Sequence, residues 1–139
     1  MKSITAEWVA GFFEGEGCIL TMAPSSGIPV PAVTIAQKDT TILFEIQKLF
    51  DGSISIHDHT HCSELAWRGR SVTKILVPIL PFLIVKKRRA ELALRMLECL
   101  STPGVKVSDE YRQERLQAAA EIKRLNHLSI AEMREVNYD

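Results

Sequence analysis

The sequence predicts an α+β domain: a four-stranded antiparallel sheet with helices packed on one face. Three observations carry the prediction. Segments that alternate apolar and polar residues come in two closely linked pairs, as hairpins do. A stretch with apolar residues at helical spacing follows each pair, and another precedes the first. The order is therefore α-β-β-α-β-β-α-α, with further helices in the tail. Helices on one face leave the outward side chains of the other free for a ligand. At 139 residues the chain has the length of one domain, read as a core over 1–102 and a helical tail over 103–139 of the same domain.

Residues 4–15 fit a helix capped by Thr5 or Ser3 and stopped by Gly15 and Gly17. Residues 17–24 and 30–37 read as strands joined at Pro24-Ser25-Ser26-Gly27. In the second strand Val33 and Ile35 oppose Ala32, Thr34 and Ala36. In the first, Leu20 and Met22 oppose Ile19, Thr21 and Ala23 without a clear apolar side, so its register stays open. Asp39 caps a helix over 40–50, with Ile42, Leu43, Ile46, Leu49 and Phe50 as its buried side, and Asp51-Gly52 ends it. In "SISIH", Ile54 and Ile56 point in while Ser53, Ser55 and His57 point out. In "SELAWR", Leu65 and Trp67 point in while Glu64, Ala66 and Arg68 point out. Ser71 opens a short helix ending near Pro81. A longer one runs from Lys86 to Leu100, with Leu92, Met96, Cys99 and Leu100 apolar. Thr102-Pro103-Gly104 breaks it. A charged, Ala-rich helix follows at about 108–126, then a last turn from Ser129 to Val136. The mixed charge of the 108–126 helix reads as a solvated surface.

The net charge is zero, so composition alone excludes little. Distribution is more telling: between Arg68 and Arg89 stand Arg68, Arg70, Lys74, Lys86, Lys87, Arg88 and Arg89 and no acid, a local basic stripe suited to a polyanion. Three widely spaced cysteines suggest free thiols in a reducing compartment. No signal peptide or membrane-length apolar run is visible. The expected location is intracellular, in a bacterial or phage-infected cytoplasm or an organelle.

The residues "VAGFFEGEG" (9–17) put two acids, Glu14 and Glu16, at a helix C-terminus, where the dipole is negative and carboxylates are unfavourable without a cation. Ala10 and Gly11 have almost no side chain, so a second helix can approach closely. The stretch resembles the nine-residue motif of the LAGLIDADG homing endonucleases, matching it class by class with Glu at both acidic positions. The αββαββα order and "PFLIVKKRRAEL" after the second hairpin strengthen the likeness, which covers about residues 4–100. It implies a saddle-shaped sheet that binds double-stranded DNA and a homodimer, since only one motif copy is present. Paired motif helices would meet through Trp8, Ala10, Gly11 and Glu14. It implies that Glu16 and the Gly17 carbonyl hold Mg²⁺, with Glu14 nearer the helix cap. It also implies that Gln37 orients water and that Lys86 supplies a cation near the reacting phosphate. Taken alone, Gln37 also reads as a strand-end polar group, and Lys86 as a charge at a helix N-terminus, an unfavourable place for a cation.

The resemblance further implies cleavage of a long pseudo-palindromic DNA site that promotes intron or intein mobility. The alternative is a non-cleaving relative such as an intron-splicing maturase. Candidate base readers on the outward face are Thr34, Lys38, Ser53, Ser55, His57, Arg68 and Arg70. Lys86, Lys87, Arg88 and Arg89 are candidates for phosphates. "HDHTHC" (57–62) matches standard zinc spacings poorly and reads as a DNA-facing hairpin tip.

Overall fold

The computed structural model describes residues 3–23, 27–57, 59, 61–98, 108–128 and 132. Thr5 caps α1 (Ala6–Glu16) through a 3.1 Å hydrogen bond from the Trp8 N–H. β1 (Gly17–Met22) and β2 (Val30–Gln37) follow. Asp39 caps α2 (Thr40–Phe50), accepting from the Thr41 N–H at 2.9 Å. β3 (Ser53–His57) and β4 (Cys62–Arg68) form the second hairpin. A 3₁₀ turn at Gly69–Val72, α3 (Thr73–Ile79) and a second 3₁₀ turn at Leu80–Phe82 occupy the short helical region. α4 (Lys87–Glu98) and α5 (Asp109–Asn126) complete the described chain. The last turn expected at 129–136 falls almost wholly outside the described residues, as do Cys99 and Leu100.

The four strands form one antiparallel sheet in the order β1-β2-β4-β3. Directly paired residues share a face, so the pairs Ile19–Val33, Ile35–Leu65 and Val33–Trp67 fix the core side. All five residues are fully buried or nearly so. Val9, Phe13, Leu43, Ile46, Ile75, Ile79 and Met96 pack on that side from the helices. Gly52 (φ +102°) lets the α2–β3 turn run close to the core, where a Cβ would meet Leu65 and Trp67 at 2.8 Å. The Trp67 indole N–H donates to the Phe50 carbonyl at 3.0 Å, tying α2 to β4.

Five burial expectations are corrected. Leu49 and Ile56 are exposed, not buried. Ile56 does lie on the core side, opposite Ser63, but near the end of an edge strand that the helices do not reach. Ala32 and Ala66 lie on the outward face yet are buried, because a methyl in the two central strands is shielded by its taller neighbours. The tail helix is not merely solvated. Ala118, Ala119, Ile122 and Leu125 form a narrow apolar stripe buried against the body. Arg115, itself buried, donates to the Pro29 carbonyl at 2.9 Å, and Asn126 donates to the Ile19 carbonyl at 2.8 Å. α5 thereby covers the outer edge of β1, which would otherwise present unpaired backbone groups.

Candidate active site

The site is built where α1 ends and β1 begins. The Glu14 carboxylate crosses to the start of α4. It accepts from the Ile84 N–H at 2.6 Å and from the Lys86 N–H at 3.1 Å. Lys86 makes the return contact. Its Nζ donates to the carbonyls of Phe13 at 3.0 Å and Glu14 at 2.7 Å, and sits 5.6 Å from the centre of the Phe13 ring. Each helix end thus receives the charge its dipole favours: an acid at the N-terminus of α4, a cation at the C-terminus of α1. Lys86 is thus not simply a charge at a helix N-terminus, and the Glu14 carboxylate, expected at a dimer contact, is engaged within its own chain. Burial lowers the Lys86 pKa, the charge of Arg89 lowers it further, and Glu14 works in the opposite direction.

Glu16 is exposed one turn-step beyond this clasp. Its Oε2 accepts from the Gln37 Nε2 at 2.9 Å, across 21 residues of chain. Gly17 pairs with Ile35 at the start of β1. A side chain at Gly17 would overlap the buried Phe13 ring, so the turn from helix to strand needs glycine there. Glu16, Gln37 and Gly17, together with Lys86 behind them, are therefore brought to one place.

The donor set suits a hard divalent cation: a solvent-facing carboxylate beside a helix C-terminus rich in carbonyl oxygens. Among the described residues no group of three or more His, Cys, Asp or Glu side chains could hold a metal. One chain offers a partial ligand set: the Glu16 carboxylate and the carbonyl oxygens at the end of α1. Of the His57–Cys62 stretch, Asp58 and Thr60 lie outside the described residues.

The basic run is redistributed by the fold. Lys86 caps α1. Arg89 is buried and donates from Nη1 to the Asn126 Oδ1 at 2.9 Å, which removes it from the phosphate candidates. Arg88 is exposed but stands 3.8 Å from Glu121 of α5, turned toward that helix. Lys87 is exposed in the first turn of α4. Lys74 pairs with Asp51 at 3.3 Å.

Strand pairing places Thr34, Ser53, Ser55, His57 and Arg68 together on the open face of the sheet, with Glu64 among them. Lys38 follows the end of β2. Arg70 lies in the 3₁₀ turn after β4, so it is exposed beyond the strand and not on the sheet. The open register is now fixed: Ile19 faces the core, and Cys18, Leu20 and Met22 lie on the open face.

On α1, Ala10 is fully buried in the chain's own core, so it is not available to a partner. Trp8, stacked on Phe12 at 5.2 Å, is exposed, and so are Gly11 and Gly15. Nothing lies within 4 Å of a Cβ added at either glycine. Gly15 does not stop the helix, since α1 runs through it to Glu16, and it shares this exposed face with Gly11. Four-residue spacing was the available signal. Glycine costs a helix about 1 kcal/mol relative to alanine, and the chain's own packing gives neither glycine a reason.

A family model described as LAGLIDADG endonuclease matches residues 9–90. No curated protein shows significant sequence similarity. The structure resembles the homing endonuclease I-CvuI in complex with its target in the presence of Ca, at 26% identity, covering 94% of this chain and 90% of that one, with a TM-score of 0.73. It also resembles the homing endonuclease I-TnaI, at 24% identity, covering 96% of this chain and 100% of that one, TM-score 0.70. I-GzeII, in complex with its DNA target, is 22% identical with a TM-score of 0.70. The match takes in 98% of this chain but 50% of that one.

Proposed function

This chain belongs to the LAGLIDADG endonuclease family, and from that premise we propose that it is a homodimeric, divalent-cation-dependent homing endonuclease. It cuts a long double-stranded DNA site and so promotes the mobility of an intron or intein. The observation that carries the reading is the Glu16–Gln37 contact beside the exposed glycine face of α1. Two copies packed through Trp8, Gly11 and Gly15 bring two Glu16 carboxylates to one axis, each serving one strand. A two-fold protein reads a pseudo-palindromic target. Structures of I-CvuI on DNA in the presence of Ca or Mg support use of a divalent cation, and we take Mg²⁺ as the ion.

Glu16 and the Gly17 carbonyl would hold the ion, which when bound supplies a Lewis acid at the phosphate and activates water. Gln37 fixes the Glu16 rotamer and offers an amide to orient the attacking water. Lys86, held at the carbonyls of Phe13 and Glu14, keeps a positive charge close behind the site and offsets its negative potential. The open face presents Thr34, Ser53, Ser55, His57 and Arg68 to the major groove, which admits a β-ribbon. Lys87 is the residue of the basic run best placed for phosphate.

The test is selection of a target from a random duplex library, followed by a cleavage assay with Mg²⁺ on the wild type and Glu16→Gln. Glu16→Gln should lose cleavage by at least about a thousandfold while retaining binding. A wild-type protein that binds its selected site and leaves it intact would assign the chain to the non-cleaving relatives instead.

A further inference from the structure

The first hairpin divides the open face chemically. Its cross-strand neighbours are Met22 with Val30, Leu20 with Ala32, and Cys18 with Thr34. Of these six only Thr34 carries a hydroxyl. The second hairpin sets Ser53, Ser55, His57, Glu64 and Arg68 on the same face. The apolar half does not serve the core, which takes Ile19 and Val33 from the opposite side of the same strands. Met22 is 38% exposed, and Leu20 and Val30 are half-buried. From Cys18 to Met22 the strand runs roughly 13 Å, about four base pairs at 3.4 Å each.

Among the groups that bases display in the major groove, the thymine C5-methyl is the apolar one; the rest are donors and acceptors. An aliphatic side chain pressed on those polar groups strips their water and returns nothing. We infer that the β1–β2 half of the face selects thymine methyls, with Leu20 and Met22 packing on them, while the β3–β4 half reads by hydrogen bonds. The inference rests on the DNA-cleaving reading above and deepens it. Since C5-methylcytosine carries the same methyl at the same place, it substitutes for thymine at these positions.

The experiment selects binding sites for the full-length protein from two random duplex pools, one built with thymine and one with uracil, which lacks only the methyl. The thymine pool should enrich thymines over a run of about four base pairs in each half-site. The uracil pool should lose that run and keep the remaining preferences. The thymine winner remade with uracil should bind about fourfold more weakly for each methyl removed. Met22→Gln, a change at an exposed position, should shrink that difference. Equal affinity for the thymine and uracil forms overturns the inference and leaves the endonuclease reading standing. No enrichment in either pool overturns both.

Discussion

A lysine amine bonded to two helix carbonyls and a glutamate bonded to two backbone amides solve one problem between them. Glu14 and Glu16 stand at the end of α1 that repels carboxylates, but they do so differently. Glu14 turns away to the positive start of α4, and Lys86 takes the carbonyls it leaves. Glu16 alone keeps its carboxylate turned outward, held by Gln37. Replacing Lys86 with Met retains most of the side-chain volume and removes the charge. We expect a stability loss of about 1 kcal/mol, the scale of a helix-terminal charge, because relief from burying the ammonium offsets part of the lost bonds. Cleavage should fall about a hundredfold or more, with DNA affinity much less affected. Chemical denaturation and single-turnover kinetics on the same sample check this, and a Lys86→Met enzyme that cuts at the wild-type rate would remove Lys86 from the site.

Elements were largely legible in the sequence because their signals are local. Asp39 and Thr5 cap where they should, and β2 and α2 begin and end as read. Placement of side chains against distant partners was not legible. Ala10 and Gly11 are adjacent and both small, and only the packing of α1 tells which one faces the core. The four basic residues at 86–89 looked like one cluster until α5 drew Arg88 and Arg89 to itself. That Glu16, Gln37 and Lys86 come close together was legible because they fall at recognisable motif positions; the Glu14–Lys86 exchange was not, since nothing local announces a contact across 72 residues. The Glu121–Arg124 pair within α5, with Arg88 of α4 beside it, also predicts a pH response. Hydrogen bonds from Arg124, foremost, hold the Glu121 carboxyl below its ordinary pKa, and the charges of Arg124 and Arg88 add to this. A depressed folded pKa means the contribution is complete above the ordinary carboxylate value and fades as pH falls through the lowered one. Glu121→Gln should therefore lower the melting temperature slightly at neutral pH, and the gap from wild type should close in acid. A gap that widened in acid would contradict the assignment.

At the scale of the whole molecule, the proposed dimer would draw on residues that folding leaves unused. The single chain leaves empty space at Gly11 and Gly15, so Gly15→Val should fold with unchanged circular dichroism, sediment as one copy where the wild type sediments as two, and fail to cut both strands. A Gly15→Val chain that still sediments as a pair would move the dimer contact elsewhere. The Glu14–Lys86 clasp has a separate consequence for the chain during its synthesis. A ribosome delivers the motif helix early, and the lysine that completes its end arrives 72 residues later. Until then Glu14 and Glu16 stand together at an uncapped helix terminus, and the site lacks its cation. A chain ended before residue 86 therefore holds the motif helix without the contact that completes its end, so that end is finished only when the second hairpin and the start of α4 have been made.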